Sequence, residues 1–383
     1  MRIKVASPEF VFVFYIFGFA TLRPVLFLFR AYSTPIVAAF IIVTVQASLI
    51  CGHVFGERCF IKWLVISAFF EMILFFGQRE ISAAYMVNFF MYGVVALFLL
   101  MNVCDYQRVL YWVVRFSCIN GVLLILDPFF GYQFNGNYMS YGFNMLMFSF
   151  TGLLIARFYY RNRFFSVPIV IELAMMLFYG NKGASITAAI LLLYAMFLSG
   201  SKVKRLIYCA VGCIGALSWR TVTLWVIDAA QYFGISSYSI TTLKEMLSDN
   251  ADTVFSVRTD IWEAAGTWIL QKPVFGYRVG AFEAAIKLYA HNVFYDITLC
   301  FGFVGLAIFI VLLLHSVYKM YRNPYKEYKL FQLCCLCCWL LPMQISLTLW
   351  NVPLFWVYWG LYFFDDKYKR QKIQSINSVA CTQ

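Results

Sequence analysis

Charge is what this sequence has least of. Asp, Glu, Lys and Arg make up 13% of its 383 residues, where an ordinary soluble domain carries about 25%. Hydrophobic residues reach 63% and the mean hydropathy is +0.76. No water-soluble fold could hide that much apolar surface, so the solvent to reason in is a bilayer. Several motifs are also missing: zinc-ligand spacing with histidine, a Walker loop, a GxGxxG turn and an Asp-x-Asp metal pair. Nucleotide and metal chemistry therefore have no support, and no cofactor is expected. None of the 12 cysteines falls within residues 227–291, which leaves that stretch without a disulfide framework. Cys334, Cys335, Cys337 and Cys338 lie inside an apolar run. Neighbours on a helix point in different directions, so these four read as small apolar filler rather than a thiolate cluster.

What is abundant is apolar length. Backbone groups in lipid must be satisfied internally, and long unbroken runs rather than ten-residue alternation choose helices over a barrel. The runs predict about 12 transmembrane helices over 9–29, 35–52, 63–78, 84–103, 109–126, 141–157, 164–180, 184–200, 206–226, 292–317, 330–348 and 352–364. The last is short, and Arg23-Pro24 interrupts the first. The expected fold class is thus an all-α integral membrane protein, a single polytopic domain over 1–383. Residues 227–291 form its one long outer loop and 365–383 an inner tail.

Lys and Arg test this map, because inner loops hold the excess. With the N-terminus inside, nineteen lie on short inner segments and three, Arg30, Arg79 and Lys182, on short outer ones. That asymmetry sets both termini in the cytoplasm. It also accounts for most of the +12 net charge without a nucleic-acid partner. The N-terminal run leads into Arg23-Pro24 and another span, which reads as a first anchor rather than a cleaved signal. Glu71, Glu172, Arg115 and Arg220 fall within spans, where charge is expensive. They suit either a substrate path or ion pairs between helices.

The outer segment is the most specific part of the chain. Arg258 and Trp262 are four apart and share a helix face. Lys272-Pro273-Val274-Phe275-Gly276-Tyr277-Arg278-Val279-Gly280 is a turn rich in backbone freedom and flanked by positive charge. His291-Asn292 follows where the chain re-enters the membrane, and Gly302 and Gly305 lie within the next span. His53 and His315 fall on the inner side and read as structural. The outer loop at 127–140 offers Tyr132, Gln133, Asn135, Asn137 and Tyr138, groups that suit sugar rings and hydroxyls and are equally at home in any turn.

Arg258-x3-Trp262, Lys272-Pro273-x2-Gly276-x3-Gly280-x-Phe282 and His291-Asn292-x9-Gly302-x2-Gly305 together resemble the hallmark region of the O-antigen ligase and O-antigen polymerase superfamily. Asn181-Lys182-Gly183-Ala184 resembles that family's Ser-Arg-Gly-Ala motif, with lysine where arginine is usual. The resemblance implies an integral-membrane glycosyltransferase of the GT-C type. Such an enzyme acts, without metal or nucleotide sugar, on a glycan carried by undecaprenyl pyrophosphate at the periplasmic face of a bacterial inner membrane.

The roles it implies are specific. Arg258, Lys182 and Arg278 would bind the pyrophosphate, where negative charge grows in the transition state. Arg258 leads them, because a guanidinium grips phosphate bidentately; lysine at 182 loses that fork. His291 would orient or deprotonate the acceptor hydroxyl, an imidazole being largely neutral near pH 7 with an ordinary pKa of about 6.5. Asn292, Trp262, Tyr132 and Tyr138 would meet the glycan. Partners would be the lipid-linked oligosaccharide, membrane lipids, and a chain-length regulator or other polysaccharide-assembly proteins. Polymerase is favoured over ligase, since lysine at 182 departs from the family pattern and polymerases are the more varied group. A flippase for lipid-linked sugars is the reading from another class, and it needs repeated halves that this sequence does not display.

Overall fold

A computed structural model of the chain describes residues 7–51, 57–130, 138–232 and 251–364, together with Gly234, Ser237, Ile240, Thr241, Lys244 and Leu247. The described residues are mostly helical, with no strand among them. Six helices among them are long and apolar enough to cross a bilayer: Ser33–Cys51, Arg79–Leu100, Tyr106–Phe129, Met139–Tyr159, Lys182–Ser199 and Val293–Arg322. The protein is an α-helical membrane protein. Its surface says the same, since Ile50, Leu206, Leu217 and Val311 lie 65–88% exposed.

The chain divides into two compact units. The first comprises residues 1–19, 29–112 and 262–383. It contains most of α1 (Pro8–Leu28), then α2 (Ser33–Cys51), α3 (Glu57–Phe75) and α4 (Arg79–Leu100), and the start of α5 (Tyr106–Phe130). The end of α11 (Ala251–Gln271) follows, with α12 (Ala281–Ile286), α13 (Val293–Arg322), α14 (Lys326–Leu340) and α15 (353–364). An aromatic cluster forms its core. Phe70, Phe89, Trp350 and Trp356 meet edge to face or tilted, with centroids 4.5–6.3 Å apart, geometries that the ring quadrupole favours. Cys335 and Cys338 are buried on α14 as filler.

The second unit comprises residues 20–28 and 113–261. It holds most of α5, then α6, which runs from Tyr138–Met145 through π-helical turns at Leu146–Phe150 and Ile155–Tyr159. After it come α7 (Ser166–Tyr179), α8 (Lys182–Ser199), α9 (Lys202–Leu217) and α10 (Trp219–Tyr232). Glu172 is fully buried here and meets the Ser149 hydroxyl and the backbone at Gly121, with no ion pair among the described residues. Arg220 donates to the Leu247 carbonyl at 2.8 Å.

Two expected spans differ from the structure. The run 206–226 is broken at Ser218 into α9 and α10. Gly212 faces Leu193 of α8 while Leu206, Ile214 and Leu217 point outward. The run 330–348 stops being helical at Leu340 because Pro342, lacking an N–H, opens a 3-10 turn. Hydropathy sees neither break, since the residues on both sides are equally apolar.

The most consequential break lies inside α13. Asn292 caps this helix, its Oδ1 accepting from the Phe294 and Tyr295 amides at 2.9 and 3.3 Å. Asp296 in the first turn and Lys319 and Arg322 in the last complement the helix dipole. At Gly302 the backbone leaves the helix, with φ 66° and ψ −169°, a region essentially reserved for glycine. The segment after α11 fills the gap. Phe303 N–H donates to Pro273 O at 2.7 Å, Val304 N–H to Val274 O at 3.3 Å, and Tyr277 N–H to Leu299 O at 2.7 Å. A Cβ on Gly302 would collide with the Val274 backbone, and one on Gly276 would stand 2.5 Å from Gly302 N.

Gly302→Ala should therefore lower stability by more than the roughly 1–2 kcal/mol that a left-handed L-residue costs on its own. The melting temperature of detergent-purified protein should fall well below that of an alanine substitution at Gly266, which has open space around it. Equal melting of the two variants would refute the interlock.

Candidate functional site

The interlock fixes the rest of the segment between α11 and α13 in the first unit. Beyond Gly276 the chain docks on the start of α4, where Gln78 N–H donates to Val279 O at 2.7 Å. Gly280 lies left-handed at φ 77°, with Ile81 where a Cβ would be. This seats α12 beside α4 and aims Glu283 at Tyr85, whose hydroxyl lies 2.6–2.7 Å from both carboxylate oxygens. Burial pushes the Glu283 carboxyl above its ordinary range, and the Tyr85 hydrogen bond pulls partly the other way.

A pocket opens there. Tyr85, Arg278, Glu283, Asp296 and Trp350 line it, with Gly280, Leu299 and Cys300 among its walls. The Trp350 ring lies 6.1 Å from that of Tyr85 at 27°. Sequence reading singled out Arg278 alone among these five. Tyr85 and Trp350 come from distant parts of the chain. Glu283 and Asp296 carry ordinary helix-surface spacing, so no local signal marked them.

His291 sits nearby in sequence, on a turn held from three sides. Trp262 Nε1 donates to Ala290 O at 3.0 Å and the indole stacks on Tyr295. The Tyr289 hydroxyl lies 3.0 Å from Ser346 Oγ, and its ring packs against the His291 imidazole with centroids 3.9 Å apart. Asn292 Nδ2 reaches Gln344 O and Oε1 at 3.4 Å. The polar groups of Trp262 and Asn292 are thus engaged within the protein, and both residues brace the turn that presents the histidine. His291 itself has φ 55°, in the left-handed region, where His is less unfavourable than most residues.

The other expected site residues lie in the second unit. Arg258 is on α11, one turn before Trp262, partly exposed and without a side-chain hydrogen bond or ion pair among the described residues. Lys182 is the first residue of α8, after Asn181, whose Oδ1 accepts from Ala184 N–H at 2.6 Å and whose Nδ2 donates to Met139 O at 2.8 Å. A cation at a helix N-terminus opposes the dipole, so Lys182 does nothing for the helix it begins. Tyr138 opens α6, and Tyr132 lies outside the described residues, as do Gln133, Asn135 and Asn137.

No protein-family model, no curated protein and no solved structure matches the chain. What the site can do is read from its residues. They offer partly exposed cations on one unit, and on the other a braced histidine and a small pocket lined by two carboxyls, a guanidinium and aromatic walls.

Two outcomes follow. His291→Gly removes side chain and strain together, so its melting temperature should hold or rise. His291→Ala keeps the strained backbone, worth about 1–2 kcal/mol, and loses the Tyr289 contact, so it should melt lower. The reverse order would show that the left-handed turn is not strained.

Glu283, raised by burial, contributes stability that is complete below the ordinary carboxylate pKa of about 4.3 and is lost as pH rises through its folded value. Melting of the wild type should therefore fall relative to Glu283→Gln as the pH rises above about 4. Parallel pH profiles would remove Glu283 as the cause.

Proposed function

We propose that this protein is an O-antigen, or related surface polysaccharide, polymerase. It joins undecaprenyl-pyrophosphate-linked repeat units by glycosyl transfer at the periplasmic face of a bacterial inner membrane. The proposal includes about twelve spans with both termini cytoplasmic. The observation that carries it is the interlock: Lys272–Gly280 and His291–Gly305 carry most of the family-like pattern and are joined by backbone hydrogen bonds from Tyr277, Phe303 and Val304, with Gly276 and Gly302 in close contact between them. Glycines at that spacing are what such a joint requires, which supports reading the pattern as more than coincidence.

The chemistry asks for few parts. As the bond from the anomeric carbon to the phosphate oxygen breaks, charge builds on the leaving pyrophosphate. Fixed cations stabilise that charge more in the transition state than in the ground state. Arg258, with no partner of its own among the described residues, supplies a guanidinium able to bind two phosphate oxygens. Lys182 supplies a point charge. Helix surfaces lined with apolar side chains suit a polyprenyl tail. Attack from the face opposite the leaving group would invert the anomeric configuration.

Deleting the gene should leave a lipopolysaccharide core bearing a single repeat unit on a gel. A bare core with accumulated carrier-linked polymer would instead indicate a ligase, and unchanged chain length would sink the enzymatic reading. Arg258→Ala should lower polymer formation at least about 100-fold, the scale seen when one transition-state stabilising donor is removed, at unchanged membrane abundance.

A further inference from the structure

The surface of α11 changes character as the helix approaches the joint. Glu263, Thr267 and Leu270 are spaced by four and three residues and share one exposed face. That face passes from an acid through a hydroxyl to an alkyl chain, and the turn beyond continues the trend. Leu270, Val274 and Phe275 are 78%, 52% and 76% exposed. Between Glu263 and Arg278 the one charged residue is Lys272. Its ammonium lies 4.7 Å from the centroid of the Tyr277 ring, and the Trp268 ring lies 4.8 Å from that of Tyr277. The Tyr277 hydroxyl donates to Gln271 Oε1 at 3.2 Å. Trp, Tyr and long-stemmed Lys gather where hydrocarbon gives way to headgroups.

What covers the apolar tip follows from its neighbour. The Pro273 and Val274 carbonyls hold the amides of Phe303 and Val304. Those two side chains open the exposed apolar stripe of α13, which continues through Ile308, Val311 and Leu314. On a helix long and apolar enough to cross a bilayer, that stripe faces acyl chains, and Val274 and Phe275 extend it without a break. Length agrees. Gly302 and Arg322 are 20 residues apart, about 30 Å at 1.5 Å per residue, which is the thickness of the hydrocarbon core. With Lys319 and Arg322 at one surface, the joint falls at the other.

The backbone of the turn is equipped for that place. Irregular chain enters lipid only with its polar groups satisfied. Here the Lys272, Gly276 and Tyr277 amides donate to the Trp268, Lys272 and Leu299 carbonyls at 3.3, 3.2 and 2.7 Å, and Pro273 has no N–H to satisfy.

We propose that residues 270–277 dip into the leaflet opposite Lys319 and Arg322. Leu270, Val274 and Phe275 lie among phospholipid acyl chains, and Lys272 turns back to a headgroup phosphate. The turn thus leaves the outer loop, where the sequence pattern sets it, and becomes part of the membrane-embedded surface. Nothing in this placement depends on the glycosyl-transfer reading.

The photoreactive residue p-benzoylphenylalanine, which inserts into nearby C–H bonds, reads the surroundings of one position at a time. It would be placed singly at Glu263, Thr267, Leu270, Phe275 and Val311, all exposed, in full-length protein in dioleoylphosphatidylcholine proteoliposomes. Lipid adducts are then counted by intact mass. Phe275 should reach at least half the yield at Val311, Glu263 should stay below one tenth of it, and Thr267 and Leu270 should rise in order between them. Adding Lys272→Glu should cut the Phe275 adduct at least threefold, since an acid there repels the phosphate.

A yield at Phe275 as low as that at Glu263 would overturn the insertion. So would a cross-linked dimer at Phe275 in place of the lipid adduct, which would make a second copy the cover of the tip. An adduct unchanged by Lys272→Glu would overturn the phosphate contact.

Discussion

A helix may not simply stop in lipid. Each backbone N–H or C=O left unsatisfied there costs several kcal/mol, so a break within an apolar helix demands a partner from elsewhere in the chain. At Gly302 that partner is the segment Pro273–Tyr277, which supplies two carbonyls and one amide to the opened ends of α13. Three glycines make it possible. Gly276 and Gly302 let the two backbones touch, and Gly280 turns the chain onto α4. Everything proposed for the first unit hangs from this joint.

Its reach can be followed outward. Docking of Val279 on Gln78 sets α12, α12 sets Glu283 against Tyr85, and Tyr85 lies under Trp350. On the other side, Asn292 caps the helix and ties it to Gln344, while Trp262 and Tyr289 fix the turn at His291. Side chains expected to touch sugar thus hold the frame. The pocket beside Tyr85 is made of residues that, Arg278 apart, drew no notice in the sequence.

The membrane class and the outlines of most helices were legible, because composition and run length report burial in lipid directly. Breaks within apolar runs were not. Ser218 and Pro342 end helices among residues as hydrophobic as those inside them, and the non-helical backbone at Gly302 looks in sequence like any glycine in a span. The glycine-rich turn at 272–280 was legible as a special conformation, though its partner was not. Arg258 and Lys182 stood out because they lie in the motifs that carry the family resemblance. Glu283 and Asp296 did not, because an acid near a helix start has a routine explanation, and only the approach of α4 and Trp350 sets them in a pocket.

The joint at Gly302 also bears on biogenesis. Residues 273–277 are synthesised before residue 302, and at about 5–20 residues per second the gap is a few seconds. The half of the contact that tolerates water is therefore finished first, and the half that does not tolerate lipid is made when its partner already exists. A circular permutant that began at α13 would reverse that order and hand the translocon a broken helix with nothing to mend it.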